Sequence, residues 1–153
     1  MARRISTMYD VERSVGRNGQ NSSLDVMLIQ FFLFSIFMNS GWPLSGQISM
    51  EEASEPSAIF PINGIHKPAL NTWISIFQRA ANKRGLGPLF DDGRVDPSNV
   101  GWGLRSGRTA GRRTIMIFNQ ILLNADRKRF ERIPFDPHMP PSLGSELQMA
   151  FST

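Results

Sequence analysis

The stretch over residues 26–38 constrains the fold more than any other part of the chain. Eleven of its 13 residues are apolar, and only Gln30 and Ser35 interrupt it. A membrane-spanning helix needs about 20 apolar residues in a row, so this stretch predicts a buried helix, from about Leu24 to Met38. Two arginines near the start of the chain would suit a secretory signal, but three acidic residues intervene and no clear cleavage site follows. We therefore expect neither a membrane span nor a signal peptide.

Two further segments carry the periodicity of amphipathic helices. The apolar stripe of the first consists of Leu70, Trp73, Ile74, Phe77 and Ala81. Gly85 is expected to end this helix, because glycine closes helices readily. A third helix is predicted from about Arg113 to Arg129, again with one apolar face.

Length and composition indicate one globular domain with extensions. The chain has 153 residues, of which 41% are hydrophobic and 20% charged, so it can bury a core of its own. We expect an all-α or mainly α fold with a polar N-terminal arm over residues 1–22. The helical bundle would occupy residues 23–130, and a Pro-rich extended tail residues 131–153, because prolines preclude regular helix.

The charge balance favours anionic partners without identifying one. Lysine and arginine number 17 against 13 acidic residues, which gives a net charge of +4. Nucleic acid, anionic wall polymer, lipid headgroups and acidic proteins all suit such an excess. The chain has no cysteine and two widely spaced histidines, so we expect no metal and no cofactor.

Two tight turns share one local plan. Asn63-Gly64 and Asp92-Gly93 are each followed, four residues after the glycine, by a proline. Asn-Gly and Asp-Gly form turns at positive φ, and proline suits the approach to a helix start. The two stretches read as a degenerate internal repeat.

The first of these turns and the helix before it resemble the peptidoglycan-binding-like domain family. That family carries Asp-Val-x-x-Val-Gln-x-x-Leu on its first helix, and a Val-Asp-Gly-x-x-Gly-Pro-x-Thr signature before a helix that ends in Phe-Gln. Here Asp25-Val26 and Gln30 match the first motif, and Asn63-Gly64, Pro68 and Phe77-Gln78 match the second. Lys67 replaces the family's second glycine, and Thr72 is displaced. The resemblance covers about residues 14–85 and implies a small three-helix orthogonal bundle with no catalytic residues of its own.

The candidate binding residues fall into two groups. The residues considered for glycan binding are Asn63, Gly64, Trp42 and Trp102, and those of an anion-binding or partner-binding loop are Arg105, Arg108, Arg112 and Arg113. An Asn-Gly pair is more often simply a turn, and the arginines equally suit a solvated loop. Because no aromatic residue alternates with these arginines, nucleic acid is not favoured.

The chain lacks the usual catalytic motifs, including the Gly-x-Ser-x-Gly elbow, the phosphate loop and the His-Glu-x-x-His helix. The alternative is a carboxylate pair for glycosidic cleavage drawn from Asp91, Asp92, Asp96 and Asp136. We expect no enzymatic activity.

Two functions remain in view. The first is a non-catalytic peptidoglycan-binding-like module, acting as a cell-wall attachment or structural component of a phage particle or contractile injection device. The second is a purely structural assembly subunit, for example of a phage virion or tail, that contacts protein through the arginine loop and the tail. Both predict protein subunits as partners, and the first adds peptidoglycan or another anionic wall polymer. Localisation stays open between virion-associated and cytoplasmic before assembly.

Overall fold

The computed structural model of the protein describes residues 3–5, 8–39, 60–98 and 113–144. The helices are α1 (Ser23–Phe34), continued by a π-helical turn (Ser35–Asn39), then α2 (Pro68–Lys83), α3 (Thr114–Ala125) and α4 (Arg127–Glu131), followed by a 3-10 turn (Ile133–Phe135). The prediction of a mainly helical fold is confirmed. None of the helices in the described ranges is long and apolar enough to cross a membrane.

Two small antiparallel strand pairs accompany the helices. Strand β1 (Arg3–Ile5) pairs with β2 (Met8–Asp10), and β3 (Val15–Gly16) pairs with β4 (Arg94–Val95). The sequence did not predict these strands, because segments of two or three residues are too short to show an alternating pattern. The β3–β4 pair joins the N-terminal segment to the chain that follows α2.

The three longer helices meet at a cluster of aromatic rings. Phe118 of α3 stacks on Phe32 of α1 with ring centroids 5.2 Å apart, and its centroid lies 4.3 Å from that of Phe77 of α2. All three rings are buried. The apolar stripe predicted on α2 is also buried, so each helix contributes an apolar face to one core.

Residues 8–22 do not form a free polar arm. Tyr9, Val11 and Val15 are buried. The Tyr9 ring packs edge-on against Phe130 at 5.1 Å, and its hydroxyl donates a hydrogen bond to the Phe130 carbonyl at 2.8 Å. Burial of these apolar side chains stabilises the folded segment, and the buried Asp10 carboxylate between them accepts hydrogen bonds from Ser98.

The described part of the tail is folded as well. After the 3-10 turn a further helical turn occupies residues 141–144, and Ile133, Met139 and Leu143 are buried. The expected extended conformation is therefore wrong for residues 131–144. Proline tolerates the first turn of a helix, so several prolines here separate short turns without preventing them.

The predicted third helix is interrupted at Asp126. This residue is extended, with φ −161° and ψ 99°, and its carboxylate accepts a hydrogen bond from the Arg129 amide at 3.1 Å. Asp126 thus caps the start of α4. The segment predicted as one helix, from about Arg113 to Arg129, therefore contains two helices, α3 and α4.

Candidate functional site

The Asn63-Gly64 turn is held from inside the fold by the side-chain amide of Gln30, which is buried on α1. The Gln30 Oε1 accepts hydrogen bonds from the amides of Asn63 and Gly64, at 2.9 and 2.8 Å. The Gln30 Nε2 donates to Asn63 Oδ1 at 3.0 Å and to the Ile65 carbonyl at 3.4 Å. These four contacts use the full capacity of a primary amide, so Gln30 has no group left for a ligand.

The second turn is held in the same way by Gln78 of α2. Its Oε1 accepts from the amides of Asp92 and Gly93, at 3.2 and 3.0 Å. Its Nε2 lies 3.0 Å from each of three acceptors: Asp92 Oδ1, the Arg94 carbonyl and Thr114 Oγ. The two turns thus share a glutamine clamp as well as a sequence plan.

Asp25 and Asn21, which precede the first clamp, are structural too. Ser22 caps α1 without a side-chain hydrogen bond. The Asp25 carboxylate lies in the first turn of α1 and accepts from the amides of Glu12 and Arg13, each at 3.0 Å. Burial raises the pKa of Asp25, and the backbone hydrogen bond from Arg13 opposes that rise. Asn21 adopts φ 56°, and its side chain bonds to the loop before α1.

A pocket of about 140 Å³ lies beside the Asn63-Gly64 turn. It is lined by Gln30, Leu33, Phe60, Pro61, Asn63, Ile65, Lys67, Ala69, Leu70 and Trp73. Phe60 and Trp73 are in contact, with ring centroids 4.7 Å apart, and both also pack against Phe37. The pocket therefore has an aromatic floor, and Trp73 belongs to the core cluster.

Two of the four predicted glycan-binding residues, Asn63 and Gly64, lie among the described residues. Asn63 is exposed at the pocket, whereas Gly64 has φ +74° and lies against Ser23, so Gly64 serves the turn. Trp42 and Trp102 lie outside the described residues.

Of the predicted arginine loop, only Arg113 is described. It immediately precedes α3, and its guanidinium lies 3.7 Å from the Asp96 carboxylate. Arg94 forms a second ion pair with Asp96 at 3.0 Å, and Ser14 donates to the same carboxylate at 2.6 Å. Arg105, Arg108 and Arg112 fall outside the described ranges.

The four carboxylates considered for catalysis each contact a partner inside the fold. Asp91 pairs with Arg79, Asp92 accepts from Gln78, Asp96 pairs with two arginines, and Asp136 accepts from Arg129 and His138. Burial tends to raise the pKa of Asp136, but hydrogen bonds from the His138 amide and the Arg129 guanidinium outweigh it and hold that pKa below its usual range. These contacts give the carboxylates structural roles.

A second pocket, of about 220 Å³, lies between the end of α1 and the junction of α3 with α4. Ser35, Asp126 and Arg129 supply its polar lining. The Ser35 hydroxyl is buried and has no hydrogen-bond partner among the described residues. None of the residues predicted from the sequence as binding residues lines this pocket.

Sequence reasoning placed both glutamines in motifs but did not assign them a task. The available signal was Gln30 itself, a polar residue inside an apolar run. A buried side-chain amide must find hydrogen-bond partners. The backbone groups of a tight turn lack partners of their own and can supply them. The turn it holds lies 33 residues away along the chain.

No family model matches the chain, and no curated protein or solved structure is significantly similar to it.

Proposed function

We propose that the protein is a non-catalytic peptidoglycan-binding-like module, built on a three-helix orthogonal bundle, that acts as a cell-wall attachment or structural component of a phage particle or contractile injection device. The observation that carries the proposal is the open pocket beside the Asn63-Gly64 turn. The turn is held rigidly by Gln30, and the pocket has an aromatic floor. A preformed apolar pocket with a few polar groups is the usual form of a small-ligand site.

The roles of the motif residues support the same proposal. Asp25 holds the chain before α1, Gln30 holds the first turn, and Gln78 holds the second. These are the residues on which the resemblance depends. They fix the chain segments next to α1 and α2 through contacts inside the fold.

Retention on purified cell-wall sacculi tests the function. The full chain should sediment with sacculi, and Ala69→Phe, which places a ring at an exposed position on the pocket rim, should reduce retention at least about tenfold. Ala125→Phe is the matched control, because it makes the same change at an exposed position on α3. Trp42→Ala and Trp102→Ala in the same assay test the two tryptophans.

The possible results separate the functions. Absence of retention at low salt would overturn wall binding. Retention that added salt abolishes, and that Ala69→Phe leaves unchanged, would show only attraction of a basic chain to anionic polymer. Release of soluble wall fragments would contradict the non-catalytic role.

The second candidate, a purely structural assembly subunit, is favoured by exposed apolar side chains. Phe90 is 78% exposed and Phe135 is 60% exposed, and large exposed apolar groups often mark protein contacts. Cross-linking of the full chain with its neighbours in the native particle tests this function. It predicts cross-links from positions beside Phe90 or Phe135 and no retention on sacculi.

A further inference from the structure

The polar side chains with free groups on the rim of this pocket, those of Asn63 and Lys67, offer hydrogen-bond donors. The Asn63 Oδ1 accepts from the Ile65 amide at 2.9 Å and from Gln30 Nε2 at 3.0 Å. Since the Ile65 amide can only donate, the orientation of the Asn63 side chain is determined. Its Nδ2, with two hydrogens, has no partner among the described residues.

Among the described residues that line the pocket, Lys67 is the only charged one. It is exposed, it lines the same pocket, and no acidic residue is among the described lining residues. A rim with an ammonium group and a primary amide donor complements an anionic acceptor such as a carboxylate.

The size of the pocket limits what can enter it. Its volume of about 140 Å³ leaves room for a group of several non-hydrogen atoms. An alanine-sized group fits this volume. The floor formed by Phe60 and Trp73 would take a methyl group and exclude water from it.

We infer that this pocket binds the C-terminal carboxylate of a short peptide whose last side chain is small and apolar. The carboxylate lies against Lys67 and Asn63, and the side chain enters the pocket towards Phe60 and Trp73. The inference rests on the proposed function, because peptides of the bacterial wall that end in alanine supply this chemistry. It makes a peptide end, and not a sugar ring, the group that the pocket recognises.

Titration of the full chain with N-acetyl-D-alanyl-D-alanine and with its C-terminal amide tests the inference, monitored by calorimetry or by amide chemical shifts. The acid should bind at least about tenfold more tightly than the amide, because only the acid carries the charge that Lys67 complements. Lys67→Met should weaken the acid about tenfold and leave the amide unchanged. Lys83→Met is the matched control, since it removes one exposed positive charge at the other end of α2.

Each outcome has a definite meaning. Equal binding of acid and amide, or equal effects of the two lysine variants, would overturn carboxylate recognition. If N-acetylglucosamine binds in the pocket and the dipeptide does not, a sugar is the occupant and the inference fails. Retention on sacculi that depends on Ala69 but persists without dipeptide binding would refute the inference and leave the proposed function standing. Dipeptide binding by a chain that sacculi do not retain would refute the proposed function and leave peptide-end recognition standing.

Discussion

Replacing Gln78 with methionine removes the amide clamp while keeping the length of the side chain. Gln78 is 1% exposed, so the substitution leaves an apolar group of similar size in the core. The groups that lose their partner are the backbone amides of Asp92 and Gly93, and the Thr114 hydroxyl oxygen loses the hydrogen bond that it accepts from Gln78. The Gly93 turn is buried, so water does not readily replace the lost hydrogen bonds.

The expected cost follows from these unsatisfied groups. A buried donor left without a partner costs about 1–3 kcal/mol, so two such amides, one of them half-buried, lower the free energy of unfolding by about 2–5 kcal/mol. Domains have a stability of about 0.05–0.15 kcal/mol per residue, which gives about 8–23 kcal/mol for this chain. The protein should therefore still fold, with a Tm lower by about 4–20 °C.

Urea denaturation and thermal melting of Gln78→Met measure this effect. Gln120→Met is the matched control, because Gln120 is exposed on α3 and its replacement should cost less than about 0.5 kcal/mol. Gln30→Met should lie between the two, since the Asn63 turn is exposed and water can hydrate its amides. A Gln78→Met protein as stable as the Gln120→Met control would refute the clamp argument.

The remaining predictions concern backbone conformation and pH. Gly93 and Gly85 have similar positive φ values of 66° and 74°, but a Cβ on Gly93 would lie 3.0 Å from a backbone carbonyl whereas one on Gly85 would meet no atom within 4 Å. Gly85→Ala should therefore cost about 1–2 kcal/mol and Gly93→Ala more, and equal losses in urea denaturation would contradict this reading. Asp136→Asn should destabilise the protein at neutral pH, because it removes a carboxylate bound by Arg129 and by the His138 amide. The folded pKa of Asp136 lies below 3.8, so its contribution is present above that pH and is lost as the pH falls through the lower folded value. If the free energy of unfolding that Asp136→Asn loses stays constant from neutral to strongly acidic pH, this account of the Asp136 carboxylate is refuted.

The local parts of the fold were predictable because their signals lie close together in the chain. The nearly unbroken apolar run over residues 26–38 and the periodic stripe around Phe77 are both local signals, and both segments form helices. The break at Asp126 was missed although its signal is also local, because an aspartate that caps a helix start looks the same as one exposed on a helix face. The turns at Gly64 and Gly93 were predicted from their dipeptides, and both glycines adopt positive φ.

The candidate site was predictable only in part. The sequence pointed to Asn63 and to the turn it occupies, but it gave no indication that Gln30 uses all of its hydrogen-bonding groups on that turn. Lys67 stood out only as a departure from the family pattern, and its place on the pocket rim was not predicted.

By itself the sequence determined a mainly helical chain, its helix-forming segments and the positions of its tight turns, because each depends on side chains within a few residues of one another. Only the tertiary structure decided that the segment around Tyr9 and the tail around Leu143 join the core. It also decided that two glutamines clamp distant turns, and that Asn63 and Lys67 share a pocket with Trp73. Such contacts join residues far apart in sequence, and their free energy depends on which buried polar groups find partners, which no local pattern specifies.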